Sequence, residues 1–352
     1  MSAIEHLLHT LRSQGRFCAR SGSAMYGELF DLVAGDVETG GVFASILTGH
    51  EEAPSGQAVP LRLLGGLHRM VLDGRAAHLR RWYPSAGGSW DAQRAWPEIL
   101  HVAAERPDAL RAALRHPPQT NEVGRSAALI GGLLHLHSEF RLPIRLFEIG
   151  SSAGLNLRAD RYHYRYAGNQ WGPPDSPVVI DDAWHGQLPP GGGLQIVERH
   201  GYDIAPLDVT GVTGPDGELT VLSYVWPDQH ARLTRVRGAI AVAREVPAHL
   251  ERCTAADAVA GLTLAEGALT VLWHSITWQY LSTDERAAVL AGIDRLAAQA
   301  DALKPLAHLT LEPAREGPEG TLKFLVRATA WPGGEERVLA ECHAHGAPVH
   351  WQ

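Results

Sequence analysis

The sequence predicts an α/β protein: a mostly parallel sheet that finishes in an antiparallel hairpin, preceded by a helical region and interrupted by an irregular, partly β segment. Three observations predict it. Apolar residues recur at helical spacing early in the chain, as Ile4, Leu7, Leu8, Leu11 and again as Leu61, Leu64, Leu67, Val71. From residue 144 onward, apolar runs of strand length alternate with helical stripes. The tail then alternates on either side of Pro332-Gly333-Gly334, as a hairpin does.

Taken in order, loops rich in Gly, Pro and Ser (Glu51 to Pro60, Tyr83 to Ser89) separate the early helices. The last of these helices is expected to start at Thr120, whose hydroxyl can accept from a free backbone N–H, with Glu122 near the positive end of the dipole. Val123, Ala127, Ile130 and Leu134 form its apolar stripe, and Pro143 stops it. Ile144, Leu146, Phe147 and Ile149 give the first strand, with a glycine-rich loop and a helix expected after it. Residues 160–217 lack a helical stripe and read as an insertion, with strand-like pieces at Tyr162 to Tyr166, Val178 to Ile180 and Leu194 to Val197.

Leu219 to Val225 is expected as the second strand, ending at Trp226-Pro-Asp228-Gln229, followed by a helix carrying Leu233, Val236, Ile240 and Ala243. His249 to Cys253 is a short third strand that leads to Ala256-Asp257-Ala258. Ala268 to Trp273 is the fourth, ending at His274-Ser275. Ser282 and Glu285 have capping-box spacing ahead of a helix with Val289, Ile293, Leu296 and Ala300. Leu306 to Leu311 is a fifth strand, and Leu322 to Trp331 pairs with Arg337 to Ala344. The expected organisation is a helical cap or lid over residues 1–143 and a sheet domain over 144–352, with 160–217 inserted.

Bulk properties narrow the function. A chain of 352 residues suits one large α/β domain or two modest ones. Its net charge of −8 argues against a dedicated nucleic-acid surface. Cys18, Cys253 and Cys342 are far apart and odd in number, so no disulfide framework is expected and a reducing cytoplasm fits. The N-terminus lacks the pattern of a signal peptide, and no apolar run approaches the ~20 residues that span a bilayer. The expected partner is a small molecule, with neither membrane nor nucleic acid.

The segment Glu148-Ile-Gly150-Ser151-Ser152-Ala-Gly154-Leu-Asn156 fits two chemistries. Gly150-x-Ser152-x-Gly154 has the spacing of a serine-hydrolase nucleophile elbow, and Asp257 with His274, His308 or His343 would follow in the right order. That enzyme also needs an upstream loop whose N–H groups form an oxyanion hole. Residues 1–143 look helical, and Gly65-Gly66 and Gly131-Gly132 fall within helical patterns.

The other chemistry is that of a Rossmann-like methyltransferase, where glycines let the backbone approach a nucleoside cofactor and successive strands end in cofactor-binding carboxylates. Glu148 would steady the loop and the cofactor's ammonium group, with Gly150, Ser151, Ser152, Gly154 and Asn156 forming the loop. Asp228 would hold the ribose, and Asp257 with Ala258 the adenine. Two departures stand out. The acidic residue usually lies roughly 20 residues past the glycines, whereas Asp228 lies across the insertion; Glu198 is nearer but no helix follows it. Ser152 occupies the place of a common middle glycine.

Four segments together resemble a family of uncharacterised bacterial proteins known as a domain of unknown function: Gln119 to Arg125, Glu148 to Leu157, Tyr224 to Gln229 and His274 to Tyr280. The resemblance covers nearly the whole chain. It implies a Rossmann-like, methyltransferase-type core without an established substrate.

Asn121, Glu122 and Arg125 would either face the cofactor's methionine portion or cap a solvated first turn. His274, Ser275, Gln279 and Tyr280 would border a substrate pocket, with His274 either a general base or a structural histidine. Cys342-His343-x-His345 and His135-x-His137 lack the second ligand cluster of a zinc site, so no metal is expected. The expected function is binding of S-adenosylmethionine, with methyl transfer to a small acceptor. A serine hydrolase using Ser152, and a non-catalytic module for a nucleotide-like ligand, stand as alternatives. The acceptor and the oligomeric state are not legible.

Overall fold

Helical stripes and most of the strand-length apolar runs fold as such, in a computed structural model that describes residues 2–189, 191–315, 320 and 322–352. The helices are α1 (Ala3–Arg20), α2 (Ala24–Glu38), α3 (Val42–Ile46), α4 (Val59–Leu72), α5 (Ala92–Glu105), α6 (Pro107–Ala113), α7 (Ser126–Phe140), α8 (Asp216–Ser223), α9 (His230–Glu245), α10 (Ala255–Gly261) and α11 (Thr283–Ala297). The strands are β1 (Ile144–Ile149), β2 (His163–Tyr166), β3 (Asn169–Trp171), β4 (Val179–Ile180), β5 (Trp184–Gly186), β6 (Ile196–Asp203), β7 (His249–Arg252), β8 (Leu269–Ser275), β9 (Leu306–Arg315), β10 (Leu322–Trp331), β11 (Glu336–His343) and β12 (Gly346–Trp351). By contacts the chain divides into two compact units, residues 1–120 with 215–233 and residues 121–214 with 234–352. The expected boundary lay at 143/144.

The first unit is helical throughout its described residues. Ser2 and Glu5 close a capping box on α1, whose Leu7, Leu8 and Leu11 turn inward while Ile4 stays exposed. Leu29, Phe30, Leu63 and Leu67 are fully buried in the core of this unit, and each such side chain stabilises it by roughly 1.5–3 kcal/mol. The stretch expected as the second strand is instead α8. Its Asp216 and Glu218 suit a helix N-terminus, and a short apolar run cannot by itself distinguish strand from helix. Tyr224 then packs so closely on Gly65 that a Cβ there would lie 2.6 Å from its ring.

The second unit is a mixed α/β body built on a nine-stranded, mostly parallel sheet. Its order is β5-β12-β11-β10-β9-β8-β1-β6-β7. The run β7-β6-β1-β8-β9 is parallel throughout, with Glu148 beside Trp273 on one side and Ile149 beside Tyr202 on the other. β9 to β12 then meander antiparallel, and β5 joins the far edge parallel to β12. Phe147, Leu272 and Leu306 pack with Val259 of α10 and with Val289, Ile293 and Leu296 of α11 in one core.

Local expectations fail at four other places. The piece at Leu194 to Val197 is not part of an insertion but the start of β6, which pairs with β1 along its length. Two short 3-10 turns within Leu155–Arg161, separated by a kink at Arg158 (φ −104, ψ 19), follow the glycine-rich loop in place of an α-helix. The expected Thr120 cap lies ahead of α7, whose first turn is preceded by a 3-10 turn at Val123–Arg125 that Glu122 caps through Gly124 N. The expected hairpin does not finish the sheet, because the tail past His345 continues as β12. The described residues contain no helix long and apolar enough to cross a membrane.

Candidate functional site

The glycine-rich loop leaves the C-terminal end of β1, and its conformation needs its small residues. Gly150 has φ +69, and a Cβ there would lie 2.5 Å from Thr277. Gly154 has φ +63, and a Cβ would meet Leu250 at 2.7 Å. Ser152 adopts φ +52, a left-handed conformation uncommon outside glycine. Ser151 is fully buried and has room because position 201 is glycine, whose Cβ would lie 2.6 Å from Ser151 Oγ.

Most of the loop's backbone donors are engaged within the protein. Gly150 N and Ser151 N donate to Tyr202 O, and Gly154 N to Ser151 O. Ser152 N donates to Asp203 Oδ2 at 2.9 Å, and Leu155 N to Asn121 Oδ1 at 2.8 Å. These two side chains therefore set the loop's path from opposite ends. Asp203 closes β6 and also accepts from Ala205 N.

Glu148 ends one strand-face beneath the loop and is 2% exposed. Burial pushes its carboxyl up to about 8, against the lowering influence of Trp273, Arg125 and Arg158. Its Oε2 has no hydrogen-bond partner among the described residues, and neither do Ser151 Oγ and Asn156 Oδ1. One strand further out, Asp257 sits in the first turn of α10, where Thr254 caps Asp257 N and donates its hydroxyl to Asp257 Oδ2. Ala258 is buried in the core beneath that helix.

On the other side of β1, β8 and β9 hold a buried polar cluster. His274 Nδ1 donates to Glu312 Oε1 at 2.8 Å, an oxygen that also receives Thr277 N and Trp278 N. His274 Nε2 lies 3.0 Å from His308 Nε2, and the His274 ring stacks on Trp278. Burial, with His274 second, drives His308 down to about 3. Arg125 ties the end of β8 to the β11–β12 turn, donating from Nη1 to Ser275 O and from Nε to Ala344 O. Ser275 is buried, whereas Gln279 and Tyr280 are exposed on the 3-10 turn Trp278–Tyr280.

The structure thus gathers Asn121, Glu148, Gly150 to Asn156, His274, Ser275 and Arg125 in the second unit, around the ends of β1 and β8. Asp228 belongs to the first unit, where it follows a helix and not a strand. Its carboxylate accepts from Ser23 Oγ and Met25 N and so caps α2. Glu198 lies within β6 and pairs with Arg145 and His200. Asp203 is the residue that sequence reasoning missed. Gly201-Tyr-Asp203 carried the signal, a small residue and a carboxylate closing a strand, but the polar run Glu198-Arg-His200 hid the strand itself. His274 is bonded to Glu312 and His308, and Asp257 to Thr254, so neither residue bonds to the other. The described residues contain no group of three or more His, Cys, Asp or Glu able to hold a metal ion.

No relative among curated proteins and no solved structure matches the chain. A family model does, described as an uncharacterised protein conserved in bacteria, and it spans residues 8–351. The chain therefore belongs to that family, DUF2332.

Proposed function

We propose that the second unit binds S-adenosylmethionine at the C-terminal end of β1 and directs its methyl group to a small acceptor. The observation that carries this reading is the pairing of the glycine-rich loop after β1 with Asp203 at the end of the adjacent parallel strand β6. Open parallel sheets bind ligands at that edge. A carboxylate offers about four acceptor sites, and Asp203 uses one on each oxygen for Ser152 N and Ala205 N. The remaining sites can take two ribose hydroxyls. Asp203 replaces Asp228 in this role, and Asp257, after the next strand, faces the adenine amine.

The loop's chemistry favours a nucleoside over a nucleotide. A pyrophosphate needs free backbone N–H groups, and those of Gly150, Ser151, Ser152, Gly154 and Leu155 already have acceptors. S-adenosylmethionine has no phosphate and makes no such demand. Its ammonium group would be met by Glu148, buried and mostly protonated at neutral pH, with Oε2 unpartnered among the described residues. The bound cofactor supplies an electrophilic methyl group, and the protein's part is to hold donor and acceptor in line.

Calorimetric titration with S-adenosylmethionine and with its demethylated product tests the reading. Both are expected to bind, with Asp203→Asn weakening them roughly tenfold and Asp228→Asn leaving them unchanged. Ionisation of Glu148 would release a proton, so the observed heat should vary with the buffer's ionisation enthalpy. The reading fails if neither compound binds at high micromolar concentration. Fluorophosphonate labelling that disappears in Ser152→Ala would point to the hydrolase instead.

A further inference from the structure

Beside the loop, the second unit buries a cation that forms no ion pair among the described residues, with Glu148 acting on it only through space. Arg158 is 2% exposed, yet among the described residues its hydrogen bonds run to main-chain carbonyls alone: Nε to Val246 O at 3.0 Å and Nη1 to Gly154 O at 2.7 Å. Arg199, whose charge acts on Arg158 and whose side chain is 8% exposed, is by contrast paired with Asp160 at 2.7 Å. No carboxylate pairs with Arg158 among the described residues. Holding an ion out of water without an ionic partner is unfavourable, so an arrangement of this kind suits an anion.

Arg158 also lines a cavity of about 280 Å³. The other walls are mostly apolar, formed by Pro206, Leu207, Val209, Ala248 and Leu250, and Ala153 joins them from the glycine-rich loop. Asp208 is at the rim, but its two oxygens accept from the backbone and hydroxyl groups of Thr210 and Thr213. A dry cavity of roughly 150 Å³ holds benzene, so this one has room for a ligand of several carbons and a polar head.

We propose that this cavity is a binding site for a small aliphatic carboxylate, with Arg158 as its charged anchor and Leu207, Val209 and Leu250 as its apolar walls. The site does not depend on the cofactor reading. Nε and Nη1 are held by carbonyls, which fixes the guanidinium plane and leaves Nη2 to meet the carboxylate. The carboxylate is either that of a free acid or that of an amino-acid chain on a ligand lying in the adjacent loop.

The test is a thermal-shift titration of the full-length protein with acetate, propionate and butyrate, using the matching amides as uncharged controls. The acids are expected to stabilise the protein saturably, each added methylene tightening binding about fourfold, while the amides do nothing. Arg158→Gln is expected to weaken binding by roughly ten- to hundred-fold. Because that change also removes two bonds to the main chain, Ala248→Phe serves as a second variant. It keeps Arg158, fills the cavity, and is expected to abolish acid binding with Tm unchanged. Displacement of butyrate by S-adenosylhomocysteine would assign the carboxylate to the cofactor's amino-acid end, and simultaneous binding would assign it to a separate acid; either supports the site. Absence of saturable binding, equal effects of acids and amides, or acid binding that persists in Ala248→Phe overturns it.

Discussion

The two flanks of β1 use their polar groups in opposite ways. Toward β6, Asp203 and Asn121 hold backbone N–H groups of the loop, and Glu148 Oε2, Ser151 Oγ and Asn156 Oδ1 are left without partners among the described residues. Toward β8, both ring nitrogens of His274 are engaged and Glu312 Oε1 receives an imidazole and two backbone donors, so that cluster is bonded within itself, while Glu312 Oε2 and Trp273 Nε1 at its margin have no partner among the described residues. Unsatisfied buried groups cost free energy, so they persist where something else is to be bound. A cluster whose groups bond chiefly to one another fixes structure. The difference points to ligand binding on the β6 flank and to shape on the β8 flank, and it argues against His274 as a free general base, because both of its ring nitrogens are already engaged.

The largest expected effect breaks the β8 flank. Glu312→Ala leaves His274, Thr277 N and Trp278 N without their shared acceptor in a buried setting, and should cost about 3–5 kcal/mol in urea denaturation. Glu312→Gln keeps an acceptor oxygen and should cost much less. If Glu312→Ala lowers stability by under about 1 kcal/mol, the β8 flank is not a structural keystone and the contrast collapses.

A pH series sharpens the open flank. The Glu148 carboxyl rises on burial from its ordinary 4.5 to about 8. Between those pH values the unfolded chain has released the proton and the folded one still holds it. The unfolded state then binds fewer protons, so stability falls as pH rises through this window and is level on either side. Glu148→Gln cannot ionise, and its stability should decline less from pH 5 to 8 than that of the wild type. Matching slopes in the two proteins would mean that Glu148 is not held protonated. A saturating ligand that pairs with Glu148 should also flatten the wild-type curve, which separates a binding role from simple burial.

What could be read from the sequence followed how local its cause was. β1, β8 and α11 were legible because apolar runs and the Ser282 cap act within a few residues. β6 was not, because its side chains are mostly half-buried and find their partners elsewhere: Glu198 on Arg145, Arg199 on Asp160. Such a strand carries no apolar alternation to detect. Losing β6 promoted 219–225 to strand and Asp228 to a carboxylate at its end, although α8 and the cap on α2 are what those residues form. The loop itself was recognisable by spacing, but its internally bonded amides and the unpaired Arg158 depend on groups distant in sequence, and only the fold brings them together.

The smallest expected effect locates the outer limit of the open flank. Asp257 is exposed and among the described residues bonds only to its own cap, Thr254, so Asp257→Ala should cost about 0.5–1 kcal/mol of stability through a weakened start to α10. If the adenine amine also rests on this carboxylate, affinity for S-adenosylmethionine should fall roughly tenfold without a comparable further loss of stability. The two readouts are independent, since a cap acts on folding and a base contact acts on binding. A stability loss with unchanged affinity would confine the site to β1 and β6 and leave α10 as packing alone. An affinity loss with little effect on stability would extend the ligand across the ends of three adjacent parallel strands, β1, β6 and β7, which is the span an adenosine placed on Asp203 requires.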